Sequence, residues 1–150
     1  MMFSTKLRRW AGLAAVVALT ATTGACSDDP TGEDNEPEIA YARITVGGQS
    51  VTINDAGTQT GTLTVPRGPS TVTVAYFRDN DQPEALVTSA EFEVRILART
   101  GTSGVTFTPN GAFGGTLNTT TAGAKSLDVQ LFHLVEGHAD FNTIVTLTSQ

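Results

Sequence analysis

The chain has 150 residues, a length that is typical of one domain. Nine Lys and Arg stand against fifteen Asp and Glu, which gives a net charge of −6. This charge disfavours nucleic acid as a partner, because phosphate backbones are bound mainly through Lys and Arg. The one Cys excludes an internal disulfide and a thiolate metal cage. We therefore predict a fold that depends on a buried core.

The N-terminal segment has the features of an export signal. Three basic residues within the first nine precede an apolar run over residues 11–23, and the small residues Gly24 and Ala25 follow. A permanent membrane span needs about 20 apolar residues, so this shorter run favours a cleaved signal. We assign residues 1–25 to a signal peptide that directs export through the Sec pathway.

Cys26 stands directly behind Gly24 and Ala25, and this arrangement resembles the lipobox of bacterial lipoproteins. The resemblance implies that Cys26 becomes the lipidated N-terminus and that the lipid anchors the protein in a membrane. Ser27 at the next position resembles the signal for sorting to the outer membrane. We therefore expect a lipoprotein of the cell envelope, in the outer membrane. Ordinary secretion after cleavage behind Ala25 is the alternative.

Residues 26–38 are predicted to form a disordered tether. Six of the twelve residues from Ser27 to Glu38 are acidic, and none has an apolar side chain that could be buried. Loss of the signal peptide removes three basic residues and leaves six against fifteen acidic ones. An anionic membrane surface would repel so acidic a chain, so membrane attachment is expected to depend on the lipid.

From residue 39 onward apolar and polar residues alternate with a period of two, which is typical of half-buried strands. One such alternation places five residues on a buried face, opposite a largely charged face: Ala90, Phe92, Val94, Ile96 and Ala98. We predict an all-β domain over residues 39–150, a β-sandwich of about nine short strands. Its large core residues are expected to be Phe77, Phe92, Phe107, Phe113 and Phe141.

Turn signals separate the predicted strands. Gly47-Gly48 lies between two alternating segments and indicates a hairpin with a two-residue turn. Further turns are predicted at residues 66–69, 79–83 and 109–111, and at Glu136-Gly137.

One stretch of the domain resembles the latter half of bacterial immunoglobulin-like repeats. The matching segments are Val105 to Thr108, Gly111-Ala112-Phe113, Ala122-Gly123-Ala124 and Leu127-Asp128-Val129. In those repeats a strand, a glycine turn and a returning strand follow one another. The resemblance implies an immunoglobulin-like sandwich and nothing about a ligand.

The sequence contains no recognised catalytic motif. Residues 101–105 lack the final glycine of the G-x-S-x-G nucleophile elbow, and the chain has no phosphate-binding G-x-x-x-x-G-K-[ST] loop. We therefore expect a non-enzymatic binding or structural module that uses no cofactor. Its expected partners are the membrane, through the lipid, and a protein or a glycan.

The chain's two histidines, His133 and His138, lie on either side of the predicted turn at Glu136-Gly137, and Asp140 follows. Residues that flank a tight turn face each other, so two imidazoles and a carboxylate could hold one Zn²⁺ or Cu²⁺. The set of possible ligands is His133, Glu136, His138 and Asp140. The alternative function is therefore a small periplasmic or surface metal-binding protein.

The sequence pattern favours a structural role for the two histidines over a metal site. His133 shares its strand face with Leu127, Val129 and Leu131, so we expect it to point toward the core. His138 and Asp140 would then be turn residues, with the Asp140 carboxylate accepting hydrogen bonds from nearby backbone amides.

A second candidate site is the oxygen-rich segment over residues 79–84, in which Asp79 and Asp81 are the candidate calcium ligands. Ca²⁺ takes six to eight oxygen ligands. An ordinary loop between two strands explains the same residues, because turns favour Asp, Asn and Pro.

Overall fold

Eleven β-strands form the regular structure of residues 37–78 and 85–150, the residues described by a computed structural model. These residues belong to one compact unit, 35–150. The strands are β1 (Ile39–Val46), β2 (Gln49–Asn54), β3 (Gln59–Thr60), β4 (Thr64–Val65), β5 (Gly68–Arg78), β6 (Ala85–Leu86), β7 (Phe92–Ala98), β8 (Val105–Pro109), β9 (Gly114–Thr119), β10 (Gly123–His133) and β11 (His138–Ser149).

The predicted signal peptide, Cys26, nearly all of the predicted tether and the calcium candidates Asp79 and Asp81 lie outside the described residues. In the part that is described, no helix is long and apolar enough to cross a membrane.

The strands form two sheets. The larger has the spatial order β3-β2-β1-β5-β9-β8, with β6 pairing with β5, and the smaller has the order β4-β11-β10-β7. Neighbouring strands are antiparallel except for β4 and β11, which are parallel. The two sheets pack their apolar faces together, which confirms the predicted all-β sandwich. The described residues contain eleven strands against the nine or so expected, and three of them, β3, β4 and β6, have only two residues each.

The core follows the period-two pattern. Phe92, Val94 and Ile96 of β7 are buried, as predicted, and their neighbours in the chain are more exposed. Ala90 and Ala98, expected on the same buried face, are exposed. They lie just before β7 and at its last residue, outside the buried part of the strand.

The prediction that Phe77 is a core residue is wrong. Its ring stacks on the outer face against Tyr41, with ring centroids 4.5 Å apart, and the Arg43 guanidinium lies 5.1 Å from its centroid. The neighbouring Tyr76 is fully buried instead, because successive side chains of a strand point to opposite faces. Of the other expected core phenylalanines, Phe92 is buried, and Phe107, Phe113 and Phe141 are partly buried against the core.

Two predicted turns are found where expected. Gly47 and Gly48 connect β1 to β2, with φ angles of +57° and +86°. These positive values are those of the two-residue turns that match the twist of a hairpin. The second turn, between β10 and β11, ends at Gly137, whose φ is +77°. The turn expected at residues 66–69 is shorter, because β5 already begins at Gly68.

Candidate functional site

The candidate site lies at the tip of the hairpin formed by β10 and β11. His133 ends β10, His138 begins β11, and the two residues face each other across the ladder. The Gly137 N–H donates to the His133 carbonyl at 2.9 Å, which closes the turn. The Leu134 N–H donates to the Glu91 carbonyl at 2.8 Å. This second bond holds the tip against the segment that precedes β7.

A β-bulge sets the position of Asp140. Leu131 faces Phe141, but the next residue of β10, Phe132, faces Ala139, so the register shifts here and Asp140 is the extra residue of the bulge in β11. A bulge of this kind changes the direction in which side chains of the bulged strand point. The Asp140 side chain is only 1% exposed. The prediction that Asp140 is a turn residue is therefore wrong, because the bulge places it within β11 with its carboxylate buried.

The structure brings all four predicted ligand residues together. His133 Nδ1 lies 3.4 Å from Glu136 Oε2 and 3.8 Å from Asp140 Oδ2. His138 Nε2 lies 3.4 Å from Glu136 Oε2 and 3.2 Å from Asp140 Oδ1. Each imidazole therefore contacts both carboxylates, in an arrangement that we name the tip cluster (His133, Glu136, His138 and Asp140).

The tip cluster has a buried half and an exposed half. His133 and Asp140 have side chains that are 10% and 1% exposed, whereas those of Glu136 and His138 are nearly half exposed. The His133 ring packs on the Phe92 ring at a centroid distance of 4.7 Å. This packing confirms that His133 points toward the core and fixes the direction of its ring.

The carboxylate oxygens of Asp140 and the Nδ1 atom of His133 are buried. A buried carboxylate is costly unless charged or hydrogen-bonding groups compensate for the lost water. Both imidazoles lie within ion-pair distance of the Asp140 carboxylate. His133 Nδ1 is buried and makes no hydrogen bond within the described residues. It lies near both carboxylates, but at distances and angles that do not form a hydrogen bond.

The chemistry of the tip cluster is that of a mixed nitrogen and oxygen donor set. Two imidazoles and two carboxylates can bind protons or a divalent transition ion. Within residues 37–78 and 85–150, no group of three histidine, cysteine or acidic side chains is already arranged to hold a metal ion. Metal binding therefore requires movement of at least one of the four side chains.

Lys125 is a buried charged residue that the sequence analysis did not single out. It is 5% exposed, and its Nζ donates to the Thr121 hydroxyl at 2.8 Å and to the carbonyls of Ser103 and Ala122 at 3.1 and 3.4 Å. Three acceptors match the three donor hydrogens of an ammonium group. Lys125 thus joins neighbouring loops at the opposite end of β10 from the tip cluster.

Comparison with known proteins identifies no relative. No family model, no curated protein and no solved structure matches the chain. The function is therefore argued from the residues of this chain.

Proposed function

We propose that the protein is a non-enzymatic lipoprotein of the cell envelope whose β-sandwich acts as a binding or structural module. The observation that carries this proposal is the position of Cys26, the chain's one cysteine, directly behind Gly24 and Ala25 at the end of a short apolar run. Export and lipidation at Cys26 would anchor the protein in the outer membrane. The acidic residues up to Glu38 would separate the domain from the lipid surface.

The strand order supports an immunoglobulin-like sandwich. In that fold one sheet has the spatial order A-B-E-D and the other has the order C-F-G. The order β1-β5-β9-β8 in the larger sheet corresponds to A-B-E-D, and β7-β10-β11 corresponds to C-F-G. The remaining strands, β2, β3, β4 and β6, are additions at the sheet edges. Sandwiches of this kind expose loops at both ends, where ligands are commonly recognised.

The tip of the β10–β11 hairpin is the loop best suited to recognition. Val135 is 76% exposed and Leu134 is 48% exposed, so two adjacent apolar side chains face solvent beside the polar tip cluster. Apolar side chains next to polar groups are typical of surfaces that bind proteins or glycans. The absence of a nucleophile elbow and of a phosphate-binding loop from the sequence supports a binding role over an enzymatic one.

The experiment is to express the full chain in a bacterium as wild type, as Cys26→Ala and as Ser27→Ala. We expect wild type and Ser27→Ala to enter the detergent phase and to incorporate a labelled fatty acid. Cys26→Ala should be soluble in the periplasm and unlabelled, because it lacks the thiol that carries the lipid. Density-gradient separation of the two membranes then tests the outer-membrane assignment. Soluble, unlabelled wild-type protein would contradict the proposal and favour secretion after cleavage behind Ala25.

A further inference from the structure

We propose that the tip cluster binds one divalent transition-metal ion, with Zn²⁺ as the best-matched ion. The ligands are His133 Nδ1, His138 Nε2 and carboxylate oxygens of Glu136 and Asp140. This inference goes beyond the proposed anchoring in the envelope and does not depend on it, since all four residues lie in one hairpin of the domain.

The donor set selects the class of ion. Imidazole nitrogens suit Zn²⁺, Cu²⁺ and Ni²⁺, whereas Mg²⁺ and Ca²⁺ prefer sites made only of oxygen. Two neutral imidazoles and two carboxylates carry a charge of −2 in total, which a divalent ion neutralises. A neutral site costs less to bury than a charged one, and the Asp140 side chain is almost inaccessible to water.

Three distances within the tip cluster are close to those of a four-coordinate site. Metal–ligand bonds of about 2.0–2.2 Å in a tetrahedron place neighbouring donor atoms roughly 3.3–3.6 Å apart. With Asp140 Oδ1 as the aspartate ligand, three nitrogen–oxygen distances join the four donor atoms, and they are 3.2, 3.4 and 3.4 Å. These three of the six tetrahedral edges therefore lie within about 0.1 Å of the required range. The fourth distance, 3.8 Å from His133 Nδ1, ends at the other oxygen, Asp140 Oδ2.

The buried half of the cluster provides the fixed part of the site. The Phe92 ring holds His133 at 4.7 Å, and the bulge directs Asp140 inward. His133 Nδ1 is a buried donor atom without a hydrogen bond in the described residues. A metal ion would give this nitrogen a direct bond in place of the hydrogen bond that the described residues do not supply.

The exposed half provides the movement that metal binding needs. The side chains of Glu136 and His138 are 46% and 48% exposed, so both can rotate without opening the core. Because the four groups do not form a ready-made site among the described residues, we expect these two side chains to close over an ion that enters from solvent. The buried pair then changes little on binding.

The same distances would also fit a cluster that binds only protons. Imidazolium groups attract carboxylates at similar separations, and such a cluster would not respond to metal ions. A metal titration separates the two cases, because a ligand that binds only the folded state raises the melting temperature, by an amount that grows with the logarithm of its concentration relative to Kd.

The experiment uses the full chain carrying Cys26→Ala, so that its thiol does not compete for metal. The protein is stripped with a chelator and titrated with Co²⁺, followed by Zn²⁺, while visible absorption and melting temperature are recorded. We expect one Co²⁺ per chain, an intense visible band typical of four-coordinate cobalt, displacement by Zn²⁺ and a higher melting temperature. Mg²⁺ should cause none of these changes.

Variants locate the ion. His138→Gln and Glu136→Gln replace exposed side chains and should fold normally, yet each should weaken Co²⁺ affinity at least about tenfold. His133→Leu should abolish binding. Asp128→Asn is the matched control, since Asp128 also lies on β10 but pairs with Arg99 at 3.5 Å, and its affinity should equal that of the parent. Failure to bind one ion per chain, or unchanged affinity in His138→Gln, would overturn the proposal.

Discussion

The Gln59 side chain makes the two hydrogen bonds with Thr146 that a neighbouring strand would otherwise make. Its Oε1 accepts from the Thr146 N–H at 2.8 Å, and its Nε2 donates to the Thr146 carbonyl at 3.1 Å. On this side β11 pairs with β4 only at Thr148 and Ser149. The amide therefore extends the pairing along an otherwise open edge, which protects the edge from pairing with another chain.

We predict that Gln59→Glu lowers the free energy of unfolding by about 1–2 kcal/mol at neutral pH. A carboxylate can still accept from the Thr146 N–H but cannot donate to its carbonyl, and the two oxygens would repel each other. The measurement is urea denaturation. Gln130→Glu, on the outer face of β10, is the control and should change stability by less than about 0.5 kcal/mol. Equal losses in the two variants would contradict the role given to Gln59.

The two faces of β7 should respond very differently to truncation. Phe92 is 3% exposed and packs on the His133 ring, so Phe92→Ala should leave a cavity that costs about 3–5 kcal/mol. Glu93 lies on the outer face and pairs with Arg95 at 2.8 Å, where both side chains are partly exposed to water. Glu93→Ala should cost less than about 1 kcal/mol. Chemical denaturation of both variants measures the difference, and similar losses would show that the faces are wrongly assigned.

Tyr76 should make the free energy of unfolding fall as the pH rises above about 10. Burial raises the pKa of its phenol above the ordinary value of 10.0, so the folded protein keeps a proton that the unfolded chain releases. The contribution of this phenol to the free energy of unfolding is therefore fully present below about pH 10. Above that pH the free energy of unfolding declines by up to about 1.4 kcal/mol per pH unit.

Tyr76→Phe tests this dependence. The Tyr76 hydroxyl is buried without a hydrogen-bond partner among the described residues, so its removal should leave stability at neutral pH unchanged or slightly higher. The free energy of unfolding of the variant should fall less steeply than that of the wild type between about pH 10 and pH 11. Parallel curves for the two proteins would disprove the role of Tyr76 in the alkaline response.

Gly115 should tolerate no side chain, for a steric reason. A Cβ atom at this position would overlap the Thr108 carbonyl oxygen and would lie 2.6 Å from a ring carbon of Phe107. Gly115→Ala should therefore separate β8 from β9 and lower stability by about 2–3 kcal/mol. Thr108→Ala, whose side chain is exposed on the same strand pair, is the control and should cost less than about 0.5 kcal/mol. Thermal unfolding compares the two, and a wild-type melting temperature for Gly115→Ala would contradict the steric argument.

The sequence by itself determined the class of fold and most of the buried face. Alternation with a period of two places Phe92, Val94 and Ile96 on one side of the strand. That side is buried because removing apolar surface from water stabilises the fold. The turn at Gly47-Gly48 could also be predicted from neighbouring residues alone, since it depends on a positive φ at two adjacent residues. The approach of His133 to His138 also followed from the sequence, because the turn brings the residues at its two ends together.

Tertiary structure decided what local patterns leave open. Phe77 and Tyr76 are adjacent aromatic residues, and the alternation of Val72, Val74 and Tyr76 along β5 already favours Tyr76 for the core. What the pairing of β5 with β1 adds is the cover over the outward Phe77 ring, which is supplied by Tyr41. The position of Asp140 depends on strand pairing alone. The bulge opposite Leu131 and Phe132 depends on the register of two strands, and neither strand carries a local signal for it. Because that extra residue turns a carboxylate inward beside His133, pairing between strands assembled the tip cluster.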